Sequence, residues 1–275
     1  MSLIIHEIDC KSAISKSALP CLSYAINPYR GCVHGCIYCY APSILHESRI
    51  WGEFIDVKIN IINILKKELP KLKSGTIGIG TVTDPYQEPE TKYKLTRKCL
   101  DELLKYDYPI SIQTKSVLIL RDIDLIERFA VREIGITITT IDDNERKKYE
   151  GGSSIDERLN ALRDFKNRGI KTWVFFGPIL PGISDSNQIM KSIISKLSDI
   201  GIDYVFADRL NLKRGTWENI KTFIEKEHPQ LMTLYEDLFL RGNSKSYYNK
   251  VFSELRDICR NQNVELKMAF EDKLL

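Results

Sequence analysis

The chain has 275 residues, of which 43% are hydrophobic and 28% are charged, and its formal net charge is +3. This balance is ordinary for a soluble globular protein that buries a sizeable core, and so weak a charge neither requires nor excludes a nucleic-acid partner. No apolar run approaches the roughly 20 residues of a membrane span, so we expect no membrane partner. The first residues carry no basic segment and no cleavage site, which predicts a cytoplasmic protein.

Apolar, β-branched runs alternate with amphipathic segments along most of the chain. The candidate strands cover residues 23–28, 76–82, 110–114, 134–140, 171–177 and 202–209. The amphipathic segments between them cover about residues 57–69, 92–106, 121–130, 155–168 and 186–200. Repeated β-α units indicate parallel strands joined by right-handed crossovers, which predicts an α/β fold.

Helical patterns replace the strands after residue 210, over residues 217–227, 231–240 and 248–261. We therefore predict an α/β region over residues 1–210 and a helical C-terminal extension over residues 211–275 that packs on it. Tyrosines stand next to basic residues at 241–250 and would allow stacking on nucleic-acid bases. Such residues more often pack on a surface, so nucleic-acid binding by the extension stays open.

Three cysteines, Cys32, Cys36 and Cys39, fall within eight residues and form the most informative motif of the chain. Cysteine thiolates hold iron–sulfur clusters, usually with four ligands. Three protein ligands leave one metal position open for chemistry, as in catalytic zinc sites. Gly31 and Gly35 precede the first two cysteines and allow the backbone to bend around a bulky inorganic core.

Other uses of the cysteines fit the sequence less well. In a zinc site His34 would supply the fourth ligand, but a ligand between Cys32 and Cys36 fits a tetrahedral site poorly and the usual spacings differ. A disulfide framework is disfavoured because the seven cysteines are odd in number. The remaining four cysteines, Cys10, Cys21, Cys99 and Cys259, are scattered along the chain and give no convincing second cluster. A role as cluster ligands stays open for Cys10 and Cys21.

The spacing Cys-x3-Cys-x2-Cys, with an aromatic residue before the last cysteine, resembles the radical S-adenosylmethionine (SAM) superfamily. The surrounding segments resemble its spore photoproduct lyase-related branch over roughly residues 20–210. These segments are 27–32, 38–41, 80–90, 113–115, 137–140 and 177–182. The resemblance implies a partial (β/α)6 TIM-like barrel and a [4Fe–4S] cluster that binds SAM through its open iron. It also implies cleavage of SAM to a 5′-deoxyadenosyl radical, with an electron donor such as ferredoxin or flavodoxin.

In parallel barrels the active site lies at the carboxyl ends of the strands, which selects the candidate SAM-binding residues. The resemblance places Tyr38 near the adenine of SAM. Tyr38 would also serve as a hydrophobic shield that packs beside the cluster, and both roles stay open. Tyr40 flanks the third cysteine on the other side. Lys115 ends the third candidate strand and matches a lysine of the family, so we expect it to pair with the SAM carboxylate rather than to be solvated.

Further candidates carry hydroxyl and carboxylate groups at strand ends. Thr83 and Asp84 would hydrogen-bond the SAM ammonium or ribose, but an aspartate before a proline is also an ordinary turn residue. Thr137 and Thr139 share one face of the fourth strand, where their hydroxyls would reach SAM; threonine is also simply a good strand former.

Arg158 begins a helix after a glycine- and serine-rich turn. Helix starts of this kind bind carboxylates, but Arg158 would equally pair with Asp156 or Glu157 on the surface. In relatives, the loop at residues 177–182 packs on the SAM adenine. The sixth strand ends in three candidates for substrate contact, Asp208, Arg209 and Asn211.

One departure from the spore photoproduct lyases concerns the hydrogen donor. Those enzymes carry a donor cysteine just after the second strand, whereas residues 81–84 contain none here. Cys99 lies in the following helix at a position typical of the core. We therefore expect no repair of spore photoproduct by the cysteine-dependent route.

Two classes of function stay open. The first is a radical SAM enzyme, lyase- or transferase-type, whose substrate is a nucleic-acid base, a small metabolite or a peptide. The second is an iron–sulfur redox-sensing or nucleic-acid-binding protein without radical chemistry.

Overall fold

The computed structural model describes residues 3–213 and 215–268 of the chain. The strands are β1 (Ile4–Ile8), β2 (Ile14–Lys16), β3 (Tyr24–Ile26), β4 (Tyr29–Arg30), β5 (Phe54–Lys58), β6 (Ile77–Ile79), β7 (Ile110–Thr114), β8 (Arg132–Thr137), β9 (Lys171–Ile179), β10 (Tyr204–Arg209) and β11 (Leu266–Met268). The α-helices are α1 (Ala41–Ile44), α2 (Ile61–Glu68), α3 (Glu90–Tyr93), α4 (Leu95–Leu103), α5 (Ile123–Ile126), α6 (Asp143–Arg146), α7 (Ile155–Asn167), α8 (Asn187–Ile200), α9 (Thr216–Glu227), α10 (Met232–Phe239) and α11 (Ser244–Asn261). Short 3-10 helices cover Leu69–Lys71, Val117–Asp122 and Pro229–Leu231.

Eight strands form one sheet in the order β11-β10-β9-β8-β7-β6-β3-β2. Neighbouring strands from β3 to β11 are parallel, and the edge strand β2 runs antiparallel to β3. The six strands expected from the sequence are β3 and β6 to β10. The α/β fold with a mostly parallel sheet is therefore confirmed, and it has the strand arrangement of a partial barrel.

A second, three-stranded sheet in the order β1-β5-β4 was not expected from the sequence. Strand β1 runs parallel to β5, and β4 runs antiparallel to it. Strand β4 has only two residues and β1 is mostly exposed, so their hydrophobic pattern is weak, whereas β5 is buried but its end overlaps the amphipathic segment expected at 57–69. The sheet matters for the site because β4 ends directly before the first cysteine of the motif.

The two faces of the main sheet differ in character because successive side chains of a strand point to opposite sides. Val174 and Phe176 of β9 belong to the hydrophobic core that the helices cover. On the other, inner face Trp173 stacks on Tyr204 with ring centroids 5.8 Å apart, and it meets Phe206 edge to face at 5.9 Å. Aromatic side chains therefore fill part of the barrel interior.

Helices α7 and α8 begin and end where local sequence signals place them. Ser154 caps α7 and forms a reciprocal capping box with Glu157. Ser186 caps α8, and Gly201 ends it in the left-handed conformation that glycine favours. Both helices match their expected bounds closely. The segment expected at 121–130 contains only the short helix α5, preceded by a 3-10 turn.

The C-terminal extension is helical as expected, but it also contributes a strand. Helix α10 lies within its predicted segment, α9 begins one residue before its segment and α11 begins four residues before its segment; β11 then pairs in parallel with β10, with Leu266 opposite Val205. The expectation of helices alone after residue 210 is therefore corrected. Residues 214 and 269–275 of the predicted extension lie outside the described residues. None of the helices in the described part of the chain has the length and apolar character that a membrane crossing requires.

Candidate active site

The three cysteines lie on a loop of residues 31–40, here called the cysteine loop, between β4 and α1. Cys32 and Cys36 are buried and Cys39 is partly buried. The loop is close to the residues that follow β6 and β7, so it lies at the carboxyl ends of the parallel strands. This is the end of the barrel that the sequence predicted for the site.

Gly31 lets the cysteine loop begin where it does. Its φ is +91°, and a Cβ atom there would lie 2.3 Å from the carbonyl oxygen of Phe54 in β5. Any other residue would be strained and would clash with backbone. The second sheet therefore fixes the start of the loop, because β5 passes directly beside it.

Thr83 and Gln87 hold the first turn of the cysteine loop. The Thr83 hydroxyl and the Gln87 amide, at 3.3 Å, both donate to the carbonyl oxygen of Gly31. The Gln87 amide oxygen accepts from the backbone N–H of Val33 at 2.9 Å. Sequence reasoning missed Gln87, although it lies in the segment 80–90 that carried the resemblance.

Asp84 connects the cysteine loop to β7. One carboxylate oxygen accepts from the Thr114 hydroxyl at 2.6 Å and from the Tyr86 N–H at 2.9 Å, and the other accepts from the Lys115 N–H at 2.8 Å. The second oxygen also lies 3.4 Å from Nδ1 of His34. Burial alone would raise the pKa of Asp84, but the nearby His34 charge and these hydrogen bonds lower it below its usual value. The turn role is confirmed by the bond to Tyr86, and contact with SAM stays a prediction.

The zinc alternative with His34 as fourth ligand stays a prediction. The His34 imidazole is buried and faces the Asp84 carboxylate. Within residues 3–213 and 215–268, no three His, Cys, Asp or Glu side chains come close enough to hold a single metal ion.

Lys115 lies on the cysteine side of the β7 end. Its ammonium nitrogen is 5.7 Å from the centre of the Tyr38 ring. Burial would lower the pKa of Lys115, but the negative charges of Cys36 and Glu150 outweigh it and raise the pKa. Among the described residues the ammonium forms no hydrogen bond and no ion pair, so it is available to an anionic ligand.

Arg158 does not lie on the surface, where an ion pair with Asp156 or Glu157 would place it. It is completely buried and forms an ion pair with Glu150, with 2.7 Å between Nη1 and Oε1. Its remaining donors reach three backbone carbonyl oxygens, those of Thr137, Gly151 and Ser153. The surface alternative is therefore wrong, and every nitrogen of the guanidinium group already has a protein partner.

Glu150 is a site residue that the sequence analysis missed. Its carboxylate is fully buried and accepts a hydrogen bond from the Tyr38 hydroxyl as well as from Arg158. Burial would raise the pKa of Glu150, but the charges of Arg158 and Lys115 lower it. No local signal marks Glu150, because Tyr38 is 112 positions away and Arg158 was expected on the surface.

The remaining hydroxyl candidates have protein partners. Thr139 is buried, and its hydroxyl lies 3.2 Å from that of Tyr149. The Thr137 hydroxyl accepts from the Gln113 amide at 3.3 Å. Tyr40 is 38% exposed and donates to a backbone carbonyl after β6. The roles of these residues toward SAM stay predictions.

Asp208 is the candidate substrate residue with the most unusual environment. It is half-buried at the end of β10, and its carboxylate accepts a hydrogen bond from the N–H of Arg209 at 2.8 Å. Burial raises the pKa of Asp208 to about 6. Arg209 and Asn211 are half-buried as well.

Comparison with known proteins gives a consistent result. The family model of the radical SAM superfamily matches residues 26–193. An uncharacterized protein of Methanocaldococcus jannaschii is 32% identical over 255 residues, covering 92% of this chain and 93% of that protein. A protein of Pseudomonas phage M6 named radical SAM Nα-GlyT isomerase is 24% identical over 265 residues, covering 92% of this chain and 54% of that protein.

The fold is similar to a solved structure of spore photoproduct lyase complexed with dinucleoside spore photoproduct. The TM-score is 0.72 at 16% sequence identity, and the match covers 97% of this chain and 82% of that one. The family model matches the segment that contains the cysteine loop and strands β6 to β9. The chain therefore belongs to the radical SAM superfamily and is an enzyme whose cofactors are a [4Fe–4S] cluster and S-adenosylmethionine.

Proposed function

We propose that Cys32, Cys36 and Cys39 hold the cluster and leave one iron for SAM. The observation that carries this proposal is the position of the three thiols on one loop at the carboxyl ends of the strands. Two features support the fit of this loop to a cluster with bound SAM: Gly31 allows the loop to bend, and the ammonium of Lys115 lies beside the loop. When bound there and reduced, the cluster would supply one electron for SAM cleavage, which would generate the 5′-deoxyadenosyl radical needed to abstract hydrogen from the substrate.

The side chains around the loop divide into two groups in this proposal. Lys115 pairs with the SAM carboxylate, and Tyr38 and Tyr40 flank the cofactor. The second group positions these residues through the hydrogen bonds described above. Its members are Thr83, Asp84, Thr139 and Arg158.

We further propose a nucleic-acid base as the substrate, bound near Asp208. Two comparisons support this class: the phage relative named radical SAM Nα-GlyT isomerase, and the structural neighbour complexed with dinucleoside spore photoproduct. The lyase reaction itself is disfavoured, because residues 81–84 lack the donor cysteine and Cys99 is completely buried in α4. A threonine O–H bond is also much stronger than a thiol S–H bond.

Anaerobic reconstitution tests the cofactor proposal. We expect about four irons per chain and release of 5′-deoxyadenosine from SAM when a reductant is added. Cys36→Ala removes both, whereas Cys21→Ala, which changes an exposed cysteine, keeps both. A full cluster in Cys36→Ala would contradict the ligand assignment. A cluster without SAM cleavage in the wild-type protein would instead favour the redox-sensing alternative.

The substrate proposal is tested by comparing modified nucleosides, metabolites and peptides between cells with and without this protein. A change confined to nucleosides supports a base, and a change confined to peptides or metabolites contradicts it. A defined oligonucleotide carrying spore photoproduct, incubated with SAM and reductant, should stay unrepaired. Efficient conversion to two thymines would show that a donor other than cysteine suffices.

A further inference from the structure

We propose that Glu150 is a positioning residue that sets Tyr38 and Lys115 for SAM binding. This inference rests on the proposed function of the same site and extends it to a residue outside the cysteine motif. The hydrogen bonds described for the Glu150 carboxylate involve none of the three cysteines; Glu150 acts through the two side chains that flank the cofactor site.

The hydrogen bonds of Glu150 join the cysteine loop to the sheet. One carboxylate oxygen accepts from the Tyr38 hydroxyl, and the other accepts from Arg158 at 2.7 Å. Arg158 in turn donates to the carbonyl oxygen of Thr137 at the end of β8, at 3.0 Å. The Tyr38 ring is therefore tied to a strand end through two buried side chains.

The residues on either side of Glu150 also contact the cysteine loop. The N–H of Ile37 donates to the carbonyl oxygen of Tyr149 at 3.1 Å, and the N–H of Gly151 donates to that of His34 at 2.8 Å. A Cβ atom on Gly151 would come within 2.8 Å of the Cα atom of His34, so only glycine allows this approach. Three consecutive residues, 149–151, thus hold the segment between the first and third cysteines.

The negative charge of Glu150 compensates two cationic side chains, Arg158 and Lys115, in a buried part of the site. Arg158 and Glu150 are both fully buried, and the Lys115 ammonium lies 5.7 Å from the ring of Tyr38, whose hydroxyl donates to Glu150. Without the carboxylate, Arg158 and Lys115 would repel each other across this space. Lys115 would then move away from the Tyr38 ring, and its position for the SAM carboxylate would be lost.

The test uses the anaerobically reconstituted holoenzyme and measures SAM affinity by equilibrium dialysis, together with iron content. We expect Glu150→Gln to weaken SAM binding about tenfold while iron content stays at the wild-type value. Glu157→Gln is the matched control, because Glu157 is exposed and caps α7 instead. Unchanged SAM affinity in Glu150→Gln would overturn the proposal.

A double-mutant cycle separates positioning from a general loss of structure. If Glu150 acts through Lys115, then Glu150→Gln should change SAM affinity less than about twofold when Lys115→Met is already present. Fully additive effects would overturn the proposal.

Tyr38→Phe keeps the test decisive if Glu150→Gln does not fold, because it removes the hydrogen bond without leaving a buried charge unpaired. We expect it to reduce the change that SAM causes in the electron paramagnetic resonance spectrum of the reduced cluster. A wild-type change in that spectrum would contradict the positioning role. Wild-type protein that assembles no cluster or binds no SAM would instead count against the proposed function itself.

Discussion

Lys115 is a cation whose ammonium faces the cysteine loop without a hydrogen-bonding partner among the described residues. We expect Lys115→Ala to weaken SAM binding by roughly ten- to hundredfold, since a hydrogen bond to a charged group contributes about 1.5–3 kcal/mol. Iron content should not change. Equilibrium dialysis measures the affinity, and Lys147→Ala on the exposed surface is the control. An unchanged dissociation constant would remove Lys115 from the SAM site.

Asp208 should make folding stability depend on pH. The pKa of this carboxyl is about 6 in the folded protein, whereas an unfolded aspartate has a pKa of about 3.9. The stability due to its neutral form is fully present below the unfolded value and is lost as pH rises through the folded value. Asp208→Asn, which cannot ionise, should therefore gain stability over wild type as pH rises from about 4 to 7.

Urea unfolding of both proteins across this pH range measures the difference. A difference in free energy of unfolding that stays constant with pH would show that Asp208 ionises normally in the folded chain. Asp257→Asn, which removes an exposed carboxyl on α11, is the control.

At the scale of elements, α11 fixes two loops at the barrel mouth through one side chain. The buried Tyr248 hydroxyl donates to the carbonyl oxygen of Ile179, at 2.8 Å, and accepts from the N–H of Leu210, at 3.1 Å. These two residues end β9 and follow β10, so the helix joins the strand ends that border the proposed substrate site.

Tyr248→Phe should lower the free energy of unfolding by about 1–3 kcal/mol, because it leaves two buried backbone groups without a partner. Chemical denaturation measures this change. Tyr93→Phe, which removes a hydrogen bond to the exposed Glu7 side chain, should cost less than about 1 kcal/mol. Equal losses in the two variants would mean that Tyr248 does not hold the loops.

At the scale of the whole molecule, the C-terminal extension shares its core with the barrel. Helix α11 packs against α8, and its residues Val251, Leu255 and Ile258 belong to the main hydrophobic cluster. Strand β11 continues the parallel sheet beyond β10. The predicted boundary at residue 210 therefore crosses a continuous sheet and a continuous core.

We expect the full chain to unfold in one cooperative transition, because no part of this core is separate. Calorimetry of the cofactor-free protein is the measurement, with a chain ending at residue 210 as the comparison. The shortened chain should fail to give a cooperative transition, because it exposes the apolar residues that α11 covers. Two resolved transitions in the full chain would favour independent regions divided near residue 210.

The sequence by itself determined the main sheet, most of its helices and the motif at the centre of the site. These features depend on local patterns: β-branched runs predicted β3 and β6 to β10, amphipathic segments predicted α7 and α8, and close spacing grouped the three cysteines. The position of Lys115 near the cysteine loop was predicted from the strand end and the family resemblance, because the active site of a parallel barrel lies at the carboxyl ends of the strands.

Only the tertiary structure decided which side chains meet around that motif. Tyr38 and Glu150 are separated by 112 positions, and Arg158 turned inward to pair with Glu150 rather than with its neighbours. Strand β11 is three residues long, so its pattern carried no signal until β10 gave it a partner. Local sequence determines which face of an element is apolar. The pairing of buried charges with one another, and of short strands with their neighbours, depends on which segments the folded chain brings together.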